Sequence, residues 1–108
     1  MRACYTKPMI TNIDALIHLP RVNAGPWTRF SDCYERRVSF TCDHIRRYAL
    51  LKVYIDDEGT TMIFVRLDGV VRKLSVGEYV DPFSTADETL LALSHECYCH
   101  TEQNGESL

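Results

Sequence analysis

Apolar and polar residues alternate along 49–76 so as to predict three strands and two turns whose registers agree with one another. In Asp56-Asp57-Glu58-Gly59-Thr60, the glycine stands where a three-residue hairpin loop needs positive φ, after residues suited to a type I turn. Counting outward from an Asp56/Thr60 pair sets Ile55 against Thr61, Val53 against Ile63, Leu51 against Val65 and Ala49 against Leu67. A two-residue loop would pair Lys52 with Val65 and Leu51 with Arg66, mixing aliphatic and charged groups on both faces, so segregation rejects it. Asp68-Gly69 is a type I′ signal that pairs Leu67 with Val70, Ile63 with Leu74 and Thr61 with Val76. Arg72, opposite Val65, is the one member that does not fit.

Because side chains alternate across a strand, two faces follow. Face one, with Leu51, Val53, Ile55, Ile63, Val65, Leu67, Val70, Leu74 and Val76, is expected to be a core layer. Face two interleaves large apolar groups with cations: Lys52, Tyr54, Met62, Phe64, Arg66, Val71 and Lys73. On one reading, a helix covers part of face two and cationic stems lie over the remainder. On the other it is a binding face, since Tyr, Phe, Met and Arg concentrate at interface centres. Lys52, Tyr54, Met62, Phe64, Arg66 and Lys73 are therefore the candidate partner-binding residues.

The flanks add weaker signals. Thr11 with Asp14 three positions on, followed by Ala15, Leu16, Ile17 and Leu19, predicts a short helix over 11–18 that Pro20 stops. Residues 21–31 read as a loop, and Trp27 within it is either an anchor folded onto the core or a contact residue. Val38, Phe40 and Cys42 alternate with Ser39 and Thr41, which predicts a fourth strand near 37–42. Arg36-Arg37 and Arg46-Arg47 flank it as one cationic edge, either guarding an edge strand or meeting a phosphate or acidic partner. Trp27, Arg36, Arg37, Arg46 and Arg47 are thus secondary binding candidates. Ser84 and Thr85 each have an acid three residues on, predicting a helix that runs to about Cys97. At about 100° per residue its apolar stripe is Ala86, Leu90, Leu93 and Cys97, flanked by Leu91 and Tyr98. A polar tail over 101–108 follows. The expected fold is α+β: an antiparallel sheet of about four strands (the meander 49–76 plus a strand near 37–42), a C-terminal helix across face one and a short N-terminal helix, in one domain spanning 1–108.

Composition narrows the classes. The 108 residues are 45% hydrophobic and 25% charged, ordinary for a globular chain. No apolar run approaches the roughly 18 residues of a membrane helix, and none of signal-peptide length follows the amino terminus. Five cysteines, an odd number without regular spacing, suit reduced thiols and a cytoplasmic location. Residues 1–54 hold nine Lys/Arg and four Asp/Glu, a net +5, whereas 55–108 hold three and eleven, a net −8. Such asymmetry can orient a partner or a second copy of the chain. The overall −3 makes direct nucleic-acid binding the less expected mode.

No reaction motif stands out. His95 and Cys99 at i, i+4 could share a zinc ion, but no CxxC or HxxxH spacing accompanies them and Cys97 is expected to point into the core, so neither a metal nor another cofactor is expected. A thiol hydrolase would need a spatial pair such as Cys42 with His95, and His44 is the other imidazole within the basic stretch; His18 reads as a core-edge residue. Neither a phosphate loop nor a GxSxG elbow occurs. The expected function is a stoichiometric protein-binding module, an inhibitor or adaptor that occludes the surface of another protein, for example one in a nucleic-acid-binding complex. In size, charge asymmetry and lack of a reaction motif the chain is similar in character to small phage or mobile-element inhibitors such as anti-CRISPR proteins, although no motif carries that likeness. The alternative is a small nucleic-acid-binding or toxin-type endoribonuclease domain that uses the same aromatic and basic face.

Overall fold

The computed structural model of the protein describes residues 15–98. It is α+β. In chain order come a 3₁₀ turn (Ala15–His18), β1 (Asn23–Ala24), β2 (Thr28–Arg29), β3 (Cys33–Cys42), β4 (Ile45–Ile55), β5 (Thr61–Leu67), β6 (Val70–Ser75) and α1 (Pro82–Tyr98). The strands form one antiparallel sheet in the order β1-β3-β4-β5-β6, with the short β2 also on β3. This exceeds the four strands expected, because the chain over 21–31 is pinned to β3 at two places instead of looping freely.

The hairpin registers match the alternation. Ala49 pairs with Leu67, Leu51 with Val65, Val53 with Ile63 and Ile55 with Thr61. Asp56 N donates to Thr60 O at 2.9 Å and Gly59 N to Asp56 O at 3.0 Å, with Gly59 at φ 83°, so the three-residue loop closes as its chemistry demands. The Asp56 carboxylate accepts from the amides of Glu58 and Thr60, each at 2.9 Å, and tightens the loop further. At the second turn Leu67 pairs with Val70 and Ile63 with Leu74. There Asp68 takes φ 55° but Gly69 is not left-handed, so the two-residue loop stands without being a regular type I′ turn.

A third hairpin carries no glycine signal. Asp43 and His44, at φ 55° and 65°, join β3 to β4 in a two-residue turn, a conformation that short polar and imidazole side chains tolerate. β3 is therefore interior, between β1/β2 and β4, rather than an edge.

Face one is the core layer over β3, β4 and β5. Val38, Phe40, Leu51, Val53, Ile63, Val65 and Leu67 are buried there against Phe83, Ala86, Leu90 and Leu93 of α1. The 3₁₀ turn delivers Leu16 and Leu19 to the same side, packed against α1. Of the predicted N-terminal helix, the part before Ala15 lies outside the described residues. Ile55, Val70 and Leu74, expected in the core, are exposed at 51%, 37% and 42%. The helix spans β4 and β5 and leaves β6 and the end of β4 beyond its width. Arg72, the apparent misfit opposite Val65, faces the helix and forms an ion pair with Glu96.

The helix begins one turn earlier than its Ser/Thr signals suggest. Asp81 caps it: its carboxylate accepts from Phe83 N at 3.1 Å and from Ser84 N at 3.3 Å, and Pro82 takes the first helical position, where its missing N–H costs nothing. Cys97 shares the angular position of the buried stripe yet is exposed, since burial needs a neighbour as well as an angle.

Candidate functional site

The α helix and the 3₁₀ turn lie on the same side of the sheet, so among the described residues nothing covers face two. Strand pairing makes this face a grid. Cys33, Tyr54, Met62 and Ser75 form one row across β3 to β6; Glu35, Lys52, Phe64 and Lys73 form the next; Arg37, Leu50, Arg66 and Val71 form the third; Ser39 and Tyr48 begin a fourth. Neighbouring side chains along a row are about 5 Å apart and diagonal ones about 7–8 Å.

Cations and apolar groups alternate within it. Lys52 and Lys73 flank Phe64, and the Lys52 ammonium lies 5.6 Å from the Phe64 ring centre. Arg37 and Arg66 flank Leu50, which is buried although it faces away from the core. Tyr54, Met62 and Phe64 are half-buried, Arg66 and Lys73 are exposed, and Tyr48 is 65% exposed. Glu35 is the one acid on the sheet strands of this face, 3.6 Å from Lys52 and 3.7 Å from Arg37. Arg66 and Lys73 have no ion pair among the described residues, so their charge is available to a ligand.

The two arginine pairs do not make one cationic edge. Consecutive strand residues point to opposite faces, so each pair is split: Arg37 and Arg46 lie on face two, Arg36 and Arg47 on face one. Arg36 is half-buried, donating to Asp87 of α1 at 2.7 Å and to Gly25 O at 2.9 Å. The Arg47 guanidinium lies 4.3 Å from the Tyr98 ring centre and 3.8 Å from Asp68. Arg46 is pinned by Arg21 O, Thr41 Oγ1 and Ser39 Oγ at 2.8–2.9 Å. Trp27 is an anchor, edge-on to Phe83 with ring centres 5.0 Å apart. Of these five candidates, Arg37 alone joins the central part of face two.

Two shallow depressions meet at the end of the sheet where β3 starts and β4 ends. One, of about 330 Å³, lies on face two between Lys52, Phe64 and Lys73. The other, of about 280 Å³, is lined by Tyr34, Val53 and Phe83 from the core side. Asp32, Cys33, Tyr54 and Ile55 border both. Burial, then the carboxylates of Glu35 and Asp32, push the Cys33 thiol up from its ordinary value, against the lowering effect of Lys52; the thiolate is disfavoured there. At the other end of the sheet, burial and a hydrogen bond to Asp68 push the Tyr98 hydroxyl up to about 12.

Among the described residues no group of three or more His, Cys, Asp or Glu is placed to hold a metal ion. Of the zinc candidates, His95 is exposed on α1 and Cys99 lies outside the described residues. Cys42 is buried at the end of β3, and His44 is exposed in the β3–β4 turn. No helix of the described residues is long and apolar enough to cross a membrane. Comparison with protein-family models, with curated proteins and with solved structures found no match.

Sequence reasoning named the central residues of face two but stopped at β4. Leu50 follows on β4 by alternation with Lys52, but Arg37 and Cys33 join the face only through the β3–β4 register, and Asp43-His44 was the available signal: two residues tolerant of positive φ between Cys42 and Ile45.

Proposed function

We propose that the protein is a stoichiometric binding module, an inhibitor or adaptor that acts by laying face two of its sheet on another protein and occluding that protein's surface. The observation that carries this reading is the one-sided packing: among the described residues α1 and the 3₁₀ turn both cover face one, leaving Tyr54, Met62 and Phe64 beside Arg66 and Lys73, which have no ion pair there. Half-buried aromatic and Met side chains inside a polar rim have the anatomy of an interface core, and such anchors dominate binding energy. A rigid sheet presents them without the entropy cost of ordering a loop. Free thiols at Cys33 and Cys97 support a cytoplasmic setting for the same reading.

Site-specific photo-crosslinking in the producing cell tests it. A benzophenone amino acid in place of Phe64 should yield one adduct of defined mass, and the same group in place of Glu88 on the exposed side of α1 should not. Tyr54→Ala should remove the Phe64-site adduct. Equal labelling from both positions, or none from position 64, overturns the proposal.

A further inference from the structure

Charge is sorted by face as well as along the chain. Face two holds five cations, Arg37, Arg46, Lys52, Arg66 and Lys73, against Glu35, a net +4. The other described residues hold five cations and eleven acids, a net −6. A second copy docked face to face would set +4 on +4, which like-charge juxtaposition disfavours. The complement of this face is acidic.

The two depressions decide what kind of acid. The core-side one, at about 280 Å³, has room for a large side chain. Tyr34, Val53, Ile55 and Phe83 are its apolar part and Arg29, Ser31 and Thr61 its polar part, and it shares a border with the Lys52–Phe64–Lys73 depression. Asp32 stands where the two join. A polynucleotide carries a phosphate at every unit, including the one that would cross Asp32. A polypeptide can place an apolar residue in the pocket, an uncharged one over Asp32 and acids beyond it.

Resting on the docking reading above, we propose that the occupant of face two is an acidic, extended segment of another protein bearing one large apolar side chain. The apolar side chain seats against Tyr34, Val53, Ile55 and Phe83, and its acidic residues lie on Lys52, Arg66 and Lys73.

Fluorescence anisotropy at low salt tests this with three labelled probes: a peptide with one Phe ahead of a Glu-rich run, the same peptide with that Phe replaced by Ala, and an oligouridylate of equal length. The Phe peptide should bind saturably and the Ala peptide roughly tenfold more weakly. Ile55→Asp should erase the difference between them. Arg66→Glu with Lys73→Glu, both at exposed positions, should abolish peptide binding while the circular dichroism spectrum is unchanged. No saturable binding of the Phe peptide up to about 1 mM, oligouridylate binding at least as tight, or unaltered binding by the double reversal each overturns the inference. Failure here with a specific adduct still formed at position 64 removes only the acidic partner; failure of both removes the docking face itself.

Discussion

Phe64 and Val65 are adjacent on β5 and point to opposite faces, so the cost of truncating each depends on what covers its face as much as on its size. Cutting a fully buried Phe to Ala costs roughly 3–5 kcal/mol. Phe64 is half-buried, and the space it vacates opens to water instead of becoming a cavity. Intermediate burial keeps roughly two-thirds to nine-tenths of the roughly 1.5–3 kcal/mol for burying a Phe, which with a partly exposed cation–π contact gives a cost of about 1.5–3 kcal/mol. Val65 is at 0% exposure beneath α1. Val65→Ala loses two carbons at about 0.8 kcal/mol each and leaves a void, which raises the cost to about 2–3 kcal/mol. Urea unfolding measures both. With a slope of about 2 kcal/mol/M, the midpoint falls by roughly 0.75–1.5 M for Phe64→Ala and by roughly 1–1.5 M for Val65→Ala. Both proteins stay folded, since domains have about 5–15 kcal/mol to lose. Losing a whole ring on face two costs no more than losing two carbons on face one. If Phe64→Ala instead costs the roughly 4–5 kcal/mol of a fully buried Phe, some segment of the chain lies over face two and the reasoning about a free face is refuted.

Three further outcomes follow from local chemistry. Gly59→Ala, at φ 83° with open space around the added carbon, should cost about 1 kcal/mol through backbone strain alone, measured by the same unfolding curves; an unchanged midpoint would contradict the loop geometry. Tyr98 holds its proton more tightly in the folded state, so its contribution is complete below about pH 10 and is lost as pH rises toward 12, where the unfolded chain ionises first. Thermal melts across that range should fall less steeply in Tyr98→Phe; equal slopes would remove the ionisation of Tyr98 as the cause. Cys97, exposed, should be alkylated by iodoacetamide before Cys33, whose thiol is pushed up, and before buried Cys42, as read by peptide mass spectrometry; the reverse order would contradict the described burial.

The meander was legible because strand alternation and turn chemistry are local. Asp56 to Thr60 can close only one loop without mixing the faces, and from that pair every partner between Ala49 and Leu67 follows by counting in twos, as the partners of β6 do from Asp68-Gly69. The same rule applied to β3 would have separated Arg36 from Arg37 and Arg46 from Arg47, but it needed the Asp43-His44 turn, which lacks a glycine to announce it. What locality could not supply was width and side. Whether Ile55, Val70 and Leu74 are covered depends on how far one helix reaches across a sheet, and no period in the sequence encodes that distance. Nor does any local pattern say on which face Leu16 and Leu19 settle. The sequence by itself determined the three strands of the meander, their registers and the composition of both faces across them. Tertiary packing decided that the helix and the 3₁₀ turn share one of them, because the aliphatic face gains more from burial than a face whose cations would have to be desolvated.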